Sequence, residues 1–442
     1  MVTSTGSRDA RRPDAGRGLV VLLVAACITT AAALSGGASA ATPGSTVPAA
    51  ADHSTTDPGG SQATVPDALA SFYRAPDPLP YAPAGTLVRS QAVDSGPGLP
   101  AGTRAYRVLY HSTTAAGGDL AESGVVVVPG GAPPAGGFPI VSWAHGTTGV
   151  ASGCAPSVTG TSTLPYLATL IRSRYIVTAT DYRGLGTPGQ HPYLVGTAEA
   201  EDVLDAARAA RSLVGSAASD RVTVLGFSQG GQAALFAGEI APTYAPDLSL
   251  VGVAAVAPVT SVLELAPSGD GPPPSGQSAF TAMVLYAWSR HYGTFGLQRV
   301  LTPTGLADLS VVTSSCVSTV ATLYDAVSPG RFFISGWEAV PAVQAANRAN
   351  EPGDTPIAAP VLVVQGTADE VVPYATATRF VSRQLCGQEY DSVDYAVDPG
   401  LGHAQTLADS GGLITQWLRE RFAGSAGTNS CERRGLGVPT DG

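Results

Sequence analysis

In the stretch GFSQGGQAALFAG, residues 226–238, a single serine, Ser228, stands among glycines, directly after an apolar run and directly before a helix-forming run. A strand that stops abruptly and restarts as a helix needs a sharp turn, whose tip residue is forced into a strained backbone conformation with its side chain clear of the sheet edge. Small residues at Gly226 and Gly230 let the flanking backbones pass close together, with Phe227 leading into the turn. That geometry suits a nucleophile. A serine hydroxyl is nevertheless weak until a base takes its proton and a carboxylate orients the base. Of the 6 His, His53 falls in an N-terminal leader, His111 near an early strand, His145 in a glycine loop, and His191 and His291 in connecting or inserted segments. Only His403, in DPGLGHAQT, lies in a glycine loop after the last expected strand and before the final helix. The acid belongs past an apolar strand between nucleophile and base. The stretch APVLVVQGTADEVVP supplies Asp369 there, with Glu370, Asp394 and Asp398 as nearby alternatives. The chemistry of such a set is acyl transfer through a covalent intermediate.

Acyl transfer also needs donors for the oxygen that becomes negative in the tetrahedral intermediate. The backbone amide of Gln229, next after the serine, is one. The second is expected from the loop His145-Gly146-Thr147-Thr148-Gly149, with Thr147 as the donor and His145 shaping the loop. The run Asp181-Tyr182-Arg183-Gly184-Leu185-Gly186 follows another strand and is expected beside the same pocket. No Cys or His has zinc-ligand spacing, so the reading includes no metal and no cofactor.

These groups need a sheet edge to converge. Short β-branched runs alternate with amphipathic stretches from Arg104 onward, the pattern of a sheet whose connections are helices. Strands are expected at Val125–Val128, Pro139–Ala144, Tyr175–Ala179, Val222–Leu225, Val251–Val256, Val361–Gln365 and Tyr390–Tyr395. Several are apolar on both faces, as buried parallel strands are. In AEAEDVLDAARAARSLV, Val203, Ala206, Ala207, Ala210 and Leu213 fall at helical spacing, with acidic residues crowding the first turn. Between about residues 260 and 355 the alternation breaks into helix-like runs, which read as a mainly helical cap inserted into the core. Its apolar members include Phe280, Met283, Val284, Leu285, Trp288, Phe295 and Leu297. Most are expected to pack the cap and a few to line an acyl pocket. The nucleophile, acid and base occur in the chain order of α/β-hydrolases. The expected fold is therefore α/β: a mostly parallel sheet flanked by helices, with the core in two parts, 65–259 and 356–424, around the cap at 260–355.

Bulk composition narrows the setting. Hydrophobic residues make up 44% and charged residues 13%, with a net charge of -10 and no Lys. An acidic chain without an Arg cluster in its mature part is a poor nucleic-acid binder. The N-terminus carries Arg8, Arg11, Arg12 and Arg17, an apolar stretch from Leu19 to Leu34, and Ala38-Ser39-Ala40. That is the order of a cleavable export signal, residues 1–40. A lipoprotein box ending at Cys27 is the alternative, ranked second because the apolar run continues past that cysteine. Residues 41–64 read as a flexible leader poor in large apolar groups, and 425–442 as a tail. Removal of the signal leaves Cys154, Cys316, Cys386 and Cys431, an even number that suggests two disulfides with three possible pairings.

From about Pro66 to Phe422 the chain resembles the secretory lipases of the α/β-hydrolase superfamily, whose yeast members include the lipase A type. The resemblance rests on FYRAPDPLPYAPAGTLVRS, SWAHGTTG followed by GCAPS, DYRGLG, GFSQGGQAA, NEPG, and VQGTADEVVP with GLGHAQ. It implies hydrolysis of lipid or simpler carboxylic esters, possible transient contact with a lipid interface, a helical cap, no cofactor, and Ser228, Asp369 and His403 as triad. It also implies the pairs Cys154–Cys316 and Cys386–Cys431. One departure is His-Gly-Thr-Thr-Gly in place of the more acidic oxyanion loop of the yeast lipases. The rival readings are a serine peptidase or amidase on the same fold, and a non-catalytic binding protein that retains it.

Overall fold

A computed structural model of the protein describes residues 63–114, 117–267, 276–388 and 392–432. The expected export signal, Cys27, all but the end of the leader and the last ten residues lie outside them, as does most of GDGPPPSGQ. The strands are β1 (Leu87–Val93), β2 (Arg104–Thr113), β3 (Asp119–Val128), β4 (Phe138–Ala144), β5 (Ile176–Thr180), β6 (Ala218–Phe227), β7 (Ser249–Val256), β8 (Val361–Gly366) and β9 (Val393–Asp398). They form one 9-stranded sheet in the order β1-β2-β3-β5-β4-β6-β7-β8-β9. Every neighbouring pair from β5 through β9 is parallel. The pairs β1·β2, β2·β3 and β3·β5 are antiparallel. The architecture is thus α/β, with a mostly parallel sheet in which β1 and β3 run opposite to the other strands.

Alternation along the strands feeds two apolar layers. On β6, Val222 and Val224 pack with the helices Gly196–Val214 and Gln229–Tyr244. Leu225 points the other way, toward Leu170, Ile414 and Leu418. The alanines of the helix Gly196–Val214 let it lie close to the sheet. Its acidic residues are not there for the helix dipole alone, since Glu199, Asp202 and Asp205 are all fully buried. Asp202 pairs with Arg183, and Asp205 accepts from Ser112 Oγ and Tyr244 Oη.

β1 and β2 are absent from the sequence reading for a related reason. β2 carries polar residues into the interior, where each finds a partner: Arg107 Nε donates to the Ser157 carbonyl, and His111 Nδ1 lies 2.9 Å from the Asp119 carboxylate. Apolar alternation is therefore broken although the strand is buried. β9 begins and ends later than the expected Tyr390–Tyr395 and overlaps it at Val393–Tyr395.

Between β7 and β8 the described elements are all helical, including Gln277–Tyr292, Val317–Tyr324 and Pro341–Ala349. They build their own core around Met283, Leu285, Trp288 and Phe332. A disulfide joins Cys154 to Cys316, 162 residues apart, and an isolated bridge pairs Gly149 with Cys316. Cys386 is joined to Cys431. Ala63 adds a strap, donating to the Ser314 carbonyl at 2.6 Å and accepting from the Gly153 amide at 2.8 Å. Among the described residues no helix is long and apolar enough to cross a membrane.

One buried carboxyl gives the fold a measurable pH dependence. Glu239 accepts from the Gly353 amide, and burial raises its pKa from 4.5 to about 7. The folded protein therefore holds a proton that an unfolded glutamate releases near 4.5, so stability falls as pH rises between these values. Burial shifts Glu122, Glu199 and Asp205 in the same direction. Buried His145 and His191 shift in the opposite sense, so the Glu239 contribution is read by difference: from pH 5 to pH 8, urea unfolding is expected to show wild type losing stability relative to Glu239→Gln. An equal difference in both proteins would remove Glu239 from the explanation.

Candidate active site

β6 ends at Phe227, the helix begins at Gln229, and Ser228 between them has φ 57° and ψ -116°. A β-carbon in this region of φ is strained, and the surroundings must hold it. The Ser228 amide donates to the Val256 carbonyl at 2.9 Å, while the Ser228 carbonyl accepts from the Gly231 amide at 2.9 Å. The two glycines are required by contact. A β-carbon on Gly226 would lie 1.9 Å from the Gly230 carbonyl oxygen, and one on Gly230 would lie 2.0 Å from that of Ala144.

His403 opens the helix His403–Asp409 and is buried, its ring 4.7 Å from that of Phe227. Its Nδ1 donates to Asp369 Oδ2 at 2.8 Å. Asp369 follows β8 in a tight turn. Its Oδ1 accepts from the amides of Val371 (2.9 Å) and Val372 (2.8 Å), and its Oδ2 also accepts from Gln365 Nε2 (2.9 Å). Three donors thus fix this carboxylate against His403. The alternative acids are engaged elsewhere. Glu370 accepts from the His403 amide, Asp394 from Trp417 Nε1, and Asp398 from Ser410 Oγ.

Ser228, His403 and Thr147 line one cavity of about 570 Å³. No hydrogen bond joins Ser228 Oγ to His403 among the described residues. Such bonds are often long in an empty site and tighten only when substrate is bound. The remaining wall is largely apolar and comes from both parts of the molecule: Trp143, Phe227 and Leu407 from the core, Phe280 and Val317 from the insertion. The Cys154–Cys316 disulfide forms part of it. Of the apolar insertion residues singled out in the sequence, only Phe280 reaches this cavity. Met283, Val284, Leu285, Trp288 and Phe295 are buried in the insertion's own core, and Leu297 packs against it. The helix Gln277–Tyr292 is covered on most of its circumference, so helical spacing could not separate packing positions from pocket positions.

Thr147 Oγ1 lies 2.7 Å from Tyr193 Oη. His145 is buried, with Nδ1 donating to the Gly146 carbonyl and the ring 4.4 Å from that of Tyr182. Desolvation lowers its pKa, while its two nitrogens face the carbonyls of Gly146 and Asp181 and link the two loops. Asp181 and Arg183 stand behind the site. Asp181 accepts from Ser123 Oγ and from the Ser157 amide, and Arg183 pairs with Asp202 and Glu201. Among the described residues no group of three or more potential metal ligands is found. Sequence reasoning did not single out Gln365, Tyr193 or Glu199, and it set His191 aside. None of these carries a motif of its own, and their roles depend on contacts across the fold.

The profile of a family described as "Secretory lipase" matches residues 154–430. A secreted triacylglycerol lipase of Malassezia globosa is 27% identical over 389 residues, covering 82% of this chain and 81% of that protein. A Mycobacterium tuberculosis protein named as a probable inactive lipase is 26% identical over 377 residues, covering 80% and 82%. Candida antarctica lipase A has a similar fold, with a TM-score of 0.69 at 18% identity over 82% of this chain and 87% of that one.

Proposed function

The chain belongs to the secretory lipase family, and on that premise we propose that it is an exported enzyme that hydrolyses carboxylic esters with Ser228, His403 and Asp369. Ser228 Oγ attacks the ester carbonyl carbon as His403 takes its proton. The amides of Gln229 and Thr147 hold the resulting oxyanion. Collapse of the tetrahedral intermediate breaks the bond to the alcohol, which leaves with the proton from His403. A water molecule, deprotonated by His403, then attacks the acyl carbonyl, and as the carboxylic acid leaves His403 passes that proton to Ser228 Oγ. Asp369 orients the ring and stabilises its cationic form. The observation that carries this reading is the 2.8 Å bond from His403 Nδ1 to Asp369, with His403 and Ser228 on one cavity wall.

The segment between β7 and β8 acts as a cap, and residues 1–40 as a signal removed after Ala40. Export agrees with the disulfides, which form in oxidising compartments. The largely apolar wall, shared between core and cap, supports an acyl group as the part of the substrate that is bound. Each methylene buried there adds about 0.8 kcal/mol, equivalent to about a fourfold gain in kcat/KM. Assays with p-nitrophenyl esters from acetate to palmitate are expected to show this rise until the cavity is filled. Phe280→Trp or Val317→Trp should move the plateau to shorter chains, whereas a flat profile unchanged by either substitution would rule out this cavity as the acyl site. Matched p-nitroanilides test the amidase alternative, and the expected result is turnover of the esters with little of the anilides.

A further inference from the structure

We propose that Tyr193 and Glu199 are positioning residues: one turn, His191–Glu199, holds both oxyanion donors at once, through the Thr147 hydroxyl and the Gln229 side chain. The inference rests on the reading of Ser228 as nucleophile and of the Thr147 and Gln229 amides as donors. These two donors follow the neighbouring strands β4 and β6, which are paired up to Ala144 and Gly226, and the segment His191–Glu199 adds a further support that bonds to the side chains of both. Tyr193 Oη meets Thr147 Oγ1 at 2.7 Å. Glu199 Oε1 accepts from Gln229 Nε2 at 2.8 Å and from the Leu194 amide at 2.8 Å. The Gln229 amide group also lies 3.0 Å from His191 Nε2, and His191 Nδ1 lies 3.2 Å from the Arg183 carbonyl.

The protonation states fit this wiring. Desolvation brings the His191 pKa down to about 3, so the ring is neutral, with Nδ1–H donating to Arg183 and Nε2 free to accept from Gln229. Burial pushes the Glu199 carboxyl well above its ordinary range, and both of its bonds fall on Oε1, an accepting oxygen that glutamine keeps.

The turn is itself anchored. Leu194 has φ 54°, a strained value for a β-carbon residue, and its carbonyl accepts from Trp288 Nε1 of the cap at 3.1 Å. Tyr193, Glu199 and Trp288 are all buried. A side chain that holds a backbone donor in place acts on the transition state more than on the ground state. Its loss should lower kcat with little change in KM.

The test is steady-state kinetics on a soluble p-nitrophenyl ester, with thermal melting to confirm folding. Tyr193→Phe and Glu199→Leu are each expected to lower kcat by about 10–100-fold, the scale of a small misplacement at a reacting centre. KM should stay within about threefold, as expected when an interaction specific to the transition state is lost. Glu199→Gln should retain at least about ten times the kcat of Glu199→Leu, because it keeps the accepting oxygen. Thr147→Val combined with Tyr193→Phe should cost no more than either alone, since both remove one bond. If Glu199→Leu does not fold, the isosteric Tyr193→Phe and its pairing with Thr147→Val carry the test. Wild-type kcat in Tyr193→Phe, or additive losses in the double variant, would overturn the proposal. Labelling of wild type by a fluorophosphonate separates the failures. Labelling elsewhere than Ser228 removes the premise, whereas labelling at Ser228 with unaffected variants removes only the role of the turn.

Discussion

Ser228→Ala is expected to lower ester hydrolysis by about 10⁴-fold or more, the scale seen when a covalent nucleophile is removed from such a set. The loss follows from chemistry, since the substitution removes the oxygen on which the proposed acyl group is carried. Folding should be unaffected. The substitution keeps the β-carbon already accommodated at φ 57° and leaves the backbone bonds to Val256 and Gly231 in place. The hydroxyl it removes makes no hydrogen bond among the described residues. An unchanged melting temperature together with retained wild-type hydrolysis would defeat the assignment.

Asp369→Asn is expected to cost about 10³–10⁴-fold in kcat, because the carboxamide no longer enforces the required tautomer of His403. It should also destabilise the fold, unlike Ser228→Ala. Asp369 accepts from two backbone amides, Gln365 and His403. An amide nitrogen facing any of these donors leaves buried groups unpaired, at about 1–3 kcal/mol. Glu370→Gln is the control. Among the described residues Glu370 accepts from the backbone amide of His403, at 3.1 Å, and glutamine retains an accepting oxygen there. Kinetics and melting curves of the two variants therefore differ in both readouts. A crippled Glu370→Gln beside an active Asp369→Asn would mean that the acid is misplaced.

The parts legible in the sequence are those governed by local rules. The glycines around Ser228 announce a turn because backbone must pass backbone, and the 1.9 Å and 2.0 Å approaches show how little room a side chain would have. Several of the parallel strands β4 to β8 are apolar on both faces and stand out for that reason. Polar residues in the interior were opaque. Arg107, His111 and Ser112 disguise β2, and Glu199 reads as a first-turn acid although it is fully buried against Gln229. Except for Asp119, the partner of His111, their partners lie tens of residues away, so no periodicity reveals them. The same limit applies to the cavity wall. Phe280 and Val317 meet Trp143 and Leu407 there, with the Cys154–Cys316 link and the Val317 amide, bonded to the Thr148 carbonyl, tying the segment between β7 and β8 to the loop after β4.

The central claim is that Ser228 is an activated nucleophile, and a relative named as a probable inactive lipase makes the point worth settling on this chain itself. The most direct measurement is treatment of the folded protein with a fluorophosphonate, followed by peptide mass spectrometry. The account predicts a single phosphonyl adduct on Ser228, absent from Ser228→Ala and formed much more slowly in His403→Ala. No adduct, or an adduct on another residue while hydrolysis persists, would contradict it.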